Sequence, residues 1–78
     1  MYQYRMMPEK LRSVELGEYF TFSISAYEKA ANDWSQVAFL SDVSLSPDVT
    51  QRIVDLLNAG QTDPLYLLSF VSTFLDDV

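Results

Sequence analysis

The stretch that decides the fold is Ser46–Leu75, "SPDVTQRIVDLLNAGQTDPLYLLSFVSTFL". It reads as two helices back to back. Ser46 stands at an N-cap, Pro47 at the first helical position, and Asp48 where the positive end of the helix favours a carboxylate. Val49, Ile53, Leu56 and Leu57 then recur at one-turn and two-turn spacing as an apolar stripe, with Gln51, Arg52, Asp55 and Asn58 on the wet side. Gly60 is the expected residue just past the helix end. "TDPL" repeats the start signal, with Asp63 as cap and Pro64 at the first position. The spacing predicts helices over about 47–59 and 64–76. Their link is so short that the two should lie roughly antiparallel, as an α-hairpin.

The second helix carries no charged residue between Leu65 and Leu75. At 100° per residue, Ser69, Ser72, Thr73 and Asp76 gather on a narrow polar stripe, while Tyr66, Leu67, Leu68, Phe70, Val71, Phe74 and Leu75 cover most of the rest. A helix lying on a sheet needs one apolar stripe, and this one has about twice that width, so it calls for cover from two sides. Phe20, Phe22 and Ile24 of the sheet are expected to supply one cover, and Val49, Ile53 and Leu57 of the first helix part of the other. If these fall short, a second copy or another protein completes the cover.

Working outward, the first half reads as strands. "EYFTFSISAYE" (Glu18–Glu28) alternates, with Phe20, Phe22, Ile24 and Ala26 on one face and Tyr19, Thr21, Ser23 and Ser25 on the other. "YQYRMM" (Tyr2–Met7) is aromatic-rich and is expected to stop at Pro8. A loop to Gly17 should follow. "WSQVAFLSDV" (Trp34–Val43) is a third strand, apolar on both faces and so expected to be less exposed than the second, after a turn at Asn32-Asp33. Strands over about 2–7, 18–27 and 34–43 with short connections predict an α+β fold. In it, a three-stranded antiparallel β-meander is packed on one face by the C-terminal α-helical hairpin, in one small domain, 1–78.

Composition narrows the function. A 78-residue chain lies near the lower end of what folds alone, and with no Cys and no His the common staples are absent. No secretory leader or membrane-spanning run is legible, so a soluble cytoplasmic protein is expected. The net charge is −6, and residues 40–78 carry Arg52 against six aspartates. Such a surface repels phosphate backbones, so direct nucleic-acid binding is not expected. Solubility of an apolar domain explains the acidity, as does docking on a basic partner.

Chemistry-bearing patterns are few. Without His or Cys there is no Ser-His or Cys-His nucleophile pair and no ordinary zinc site. No spacing singles out a carboxylate pair for glycoside hydrolysis. Asp42 and Asp48, or the tail pair Asp76-Asp77, do not match EF-hand spacing. Two glycines, Gly17 and Gly60, are too few for a phosphate loop. Tyr2, Tyr4 and Arg5 could stack bases, yet cross-strand packing accounts for them. No catalytic residue, cofactor or metal is expected.

"SDVSLSPDVTQRIVDLLNAGQTDPLYLLSFVSTFL" (Ser41–Leu75) resembles a family of short proteins from clostridial, largely gut, Firmicutes, known only as a domain of unknown function. The likeness rests on Asp42-Val43-Ser44, "LLNAG", Asp63–Leu67 and the closing Val71, Phe74 and Leu75, with "YFTFSISAYE" similar in position to an aromatic-rich strand. In that family a His often stands at the place of Tyr66 and an acidic residue at that of Thr73, so a role shared through them is lost here. The resemblance implies a fold and no activity.

The function expected is therefore a small non-enzymatic protein-interaction module, a homodimer through the apolar last helix. Tyr66, Phe70 and Phe74 are the candidate interface residues, with Tyr19 and Tyr27 on the outer sheet face as second choices. An acidic adaptor or inhibitor on a basic surface, such as that of a DNA-binding protein, is the alternative. A small-molecule binder would need a pocket beside Trp34 or between sheet and helices.

Overall fold

The structure, a computed structural model, describes residues 1–76, so Asp77 of the tail pair lies outside it. Strands β1 (Tyr2–Ser13), β2 (Gly17–Ala30) and β3 (Asp33–Ser44) form one antiparallel sheet in the order β1-β2-β3. Helix α1 (Pro47–Gly60), a 3₁₀ turn (Pro64–Tyr66) and helix α2 (Leu67–Asp76) follow. This is the α+β fold that the pattern predicts, a three-stranded meander followed by two helices. Among the described residues no helix is long and apolar enough to cross a membrane.

The strands overrun their expected ends. β1 does not stop at Pro8 but continues to Ser13, with Pro8 opposite Phe22. Peptide groups of alternate residues point to opposite sides of a strand. Those of Tyr2 and Tyr4 point away from β2, and Pro8 shares their phase, so its missing N–H falls on the free edge and no ladder bond is lost. The expected loop up to Gly17 shrinks to a tight turn, with Gly17 at φ +70°. The second turn is Ala31-Asn32 rather than Asn32-Asp33, and Ala31 carries the left-handed backbone at φ 57°.

β2 is central, so both its faces are sheltered. Thr21, Ser23 and Ser25 are buried although no helix covers them: Met7 and Phe39 of the flanking strands stand opposite Ser23 and Ser25, and Asp42 bonds to Thr21. β3, expected to be the better covered strand, is an edge strand and mostly exposed. A register shift between Ala26 and Tyr27 marks a bulge at Val37, and Asp42 sits at φ 53° in a second irregularity.

The core lies between the sheet and α1. Tyr4, Ile24, Ala26 and Val43 meet Ile53, Val54 and Leu57, with Leu67 and Val71 of α2 closing one side. The N-cap reading holds: the Ser46 hydroxyl accepts from the Val49 N–H at 3.2 Å, and Asp63 accepts from the Leu65 N–H at 2.9 Å. The end of α1 differs from expectation. Gly60 stays helical, and the left-handed residue is Gln61 at φ 46°.

The expected cover from Phe20 is not used, for its side chain is 71% exposed. β2 reaches the β3 ladder only at Phe22, so Lys10–Ser13 and Gly17–Phe20 form a two-stranded arm that runs past β3. The molecule is accordingly long, 44 × 27 × 19 Å.

Candidate functional site

Tyr66 ends the 3₁₀ turn, and Phe70 and Phe74 follow at four-residue steps on α2. Four-residue spacing stacks side chains in one row along a helix. The neighbouring row, Leu67 and Val71, is buried in the core, which leaves the aromatic row at its margin. Phe70 and Phe74 are half-buried and Tyr66 is exposed. With Ser69 and Thr73 they line an apolar groove of about 380 Å³. The Ser69 hydroxyl donates back to the Tyr66 carbonyl at 3.1 Å, so its polar group is already satisfied within the helix. Leu65 and Leu68 of the same segment are also exposed.

The three leading candidates thus lie together. The second choices do not join them. Tyr19 and Tyr27 stand on the opposite sheet face, and each is held by a neighbour. Tyr19 donates to Asp42 Oδ2 at 2.9 Å, a bond that raises its phenol pKa above the ordinary value. The Arg5 guanidinium sits 5.4 Å from the centre of the Tyr27 ring. Trp34 is likewise faced by Lys29 at 6.0 Å, and it lines neither of the two hollows.

A second hollow, about 300 Å³, lies among Tyr2, Glu28, Val37, Asp63, Pro64 and Leu65. The Tyr2 phenol is pushed up by partial desolvation and by Asp63 and Glu28. On the outer face, Asp42 Oδ1 accepts from Thr21 at 2.7 Å, while Glu9 Oε1 accepts from the Ser41 hydroxyl at 2.7 Å and the Asp42 N–H at 3.2 Å. These bonds hold the kink of β3 and draw its charge back over β2. Among the described residues no group of three or more carboxylates is arranged to hold a metal ion.

Two residues escaped the sequence reading. Asn58 accepts from the Tyr4 N–H at 2.7 Å and donates to the Tyr4 carbonyl at 3.1 Å. Gln61 does the same for Tyr2, at 2.9 and 3.0 Å. Each side-chain amide mimics a neighbouring strand, so the outer edge of β1 is closed where it lies beside α1. Only the polar position of Asn58 on α1 hinted at this.

Comparison with protein-family models, with curated proteins and with solved structures finds no match.

Proposed function

We propose that the chain is a small non-enzymatic interaction module that self-associates through α2. One observation carries the reading: Tyr66, Phe70 and Phe74 line an open apolar groove on a helix whose core-facing row is already packed. Exposed contiguous apolar surface of this kind marks an interaction site. No charge lies between Leu65 and Leu75, so two acidic copies can meet there without opposing like charges.

Light scattering after size exclusion, from roughly 5 to 500 μM, tests it. A dimer mass that survives high salt is expected, with loss of the dimer in Tyr66→Glu. A monomer throughout the range overturns the reading. A second reading is supported by Asp48, Asp55 and Asp63, exposed on a half of the chain whose sole cation is Arg52. Docking on a basic surface weakens steeply with salt, which separates the two.

A further inference from the structure

We infer that two copies join along the outer edge of β3, antiparallel about a twofold axis, to make a six-stranded sheet with an α2 groove on each side of the seam. This rests on the self-association proposed above and adds its geometry. The two edges of the sheet are unlike. β1 is closed by Asn58 and Gln61, and Pro8 removes a further donor. β3 has no such guard. Among the described residues, no side chain or loop bonds to the outward peptide groups between Trp34 and Leu40. That stretch, "WSQVAFL", contains no charge and no proline, the usual protections of an exposed edge.

Which peptide group is offered follows from the ladder. Tyr4 bonds outward to Asn58, so its partner Ala26 bonds to β3, and Ala38 opposite Ala26 bonds back to β2. Phe39, the next residue, therefore presents its N–H and C=O to the free edge. The Val37 bulge confines regular pairing to the part of β3 around Phe39.

A second copy suits this edge for three reasons. The chain carries −6, yet the edge from Trp34 to Leu40 and the second helix up to Leu75 are uncharged, and Asp42 is pulled towards β2 by Tyr19 and Thr21. α2 packs on the β3 side of the helical layer, where Ala38, Leu40, Phe70 and Phe74 border the core. A partner strand therefore needs an apolar helix at the same level, and β3 of another copy brings one. Finally, Val37, Phe39, Leu65 and Tyr66 are 46, 50, 79 and 57% exposed. At ~200 Å² for a large open side chain they present roughly 450 Å², over half of what each partner in a standard interface buries. Paired backbone and groove walls supply the rest. A symmetric β3 pairing also consumes both open edges, so assembly closes at two.

Amide hydrogen exchange of Phe39 by NMR, at roughly 5 and 500 μM, reads the seam directly. At least tenfold slower exchange at the higher concentration is expected. Phe39→Pro, which deletes the outward N–H, should give a monomer, while Phe39→Ala, which keeps it, still dimerises. Phe39 exchange that is equal at two concentrations between which the mass changes from monomer to dimer, or as fast in a fully dimeric sample as in monomeric Tyr66→Glu, overturns the β3 seam. If Tyr66→Glu alone then abolishes the dimer, association through α2 stands without it. A wild-type monomer overturns both.

Discussion

Replacing Asn58 by alanine removes two hydrogen bonds that no other group can supply. The Tyr4 N–H and C=O lie part-buried beneath the end of α1, where water reaches them poorly. Two bonds at about 1 kcal/mol each set the loss. The better helix propensity of alanine returns about 0.5 kcal/mol, leaving a net cost of about 1.5 kcal/mol. For a domain of this length that lowers the thermal midpoint by roughly 6–12 °C. Circular dichroism melts of wild type and Asn58→Ala, at one fixed protein concentration, measure it. Asn58→Asp separates hydrogen bonding from space filling. Its carboxylate still accepts from the N–H but opposes the Tyr4 carbonyl, so its midpoint should recover as acid restores a proton to donate. An Asn58→Ala midpoint within about 0.5 kcal/mol of wild type would refute the reasoning, since water would then be satisfying the edge as well as the amide does.

Alkaline pH should destabilise the fold through Tyr4, whose phenol donates to the Thr62 carbonyl and is pushed up to about 12, first by burial and then by Asp63 and Tyr2. The native state keeps this proton while an unfolded tyrosine releases it near pH 10. The stabilisation is therefore complete below about pH 10 and falls by about 1.4 kcal/mol per unit up to about 12. Denaturant titrations at pH 9, 10 and 11 should show the slope, and Tyr4→Phe should reduce it, leaving the smaller share of Tyr2 and Tyr19. Ala31→Gly should stabilise by about 0.5 kcal/mol, because glycine adopts the left-handed turn at φ 57° without a Cβ clash and loses part of that gain to chain entropy; a lower melting temperature would count against strain at this turn.

Features set by residues a few positions apart were legible in advance. Ser46-Pro47 and Asp63-Pro64 start their helices as expected, because a cap depends on the next three peptide groups and nothing further. The row Tyr66, Phe70 and Phe74 was equally readable from helical period. Features that depend on a distant partner were not. Pro8 ends a strand only if its nitrogen faces a neighbour, and the order of strands decides that. The alternation of β2 places Tyr19 and Tyr27 on the outer face, but it gives no sign of Asp42 and Arg5 as their companions. Gln61 displaces Gly60 as the left-handed residue while its side chain holds Tyr2, 59 positions away. A helix-end rule has no access to a contact of that range.

The arm of Lys10–Ser13 and Gly17–Phe20 bears on the heat of unfolding. It holds a hydrogen-bonded ladder but buries little apolar surface beyond parts of Leu11 and Tyr19, since Phe20 is open and Val14 and Leu16 at the tip are fully or largely exposed. The increase in heat capacity on unfolding tracks the apolar surface that the fold had buried. Melting the arm thus contributes little to it, and calorimetry should see a chain of roughly 67 residues, with a heat-capacity change of about 0.9 kcal/mol/K where the full length gives about 1.05. The stability curve is flatter to that extent. The arm adds length to the molecule without sharpening the cooperativity of its melting.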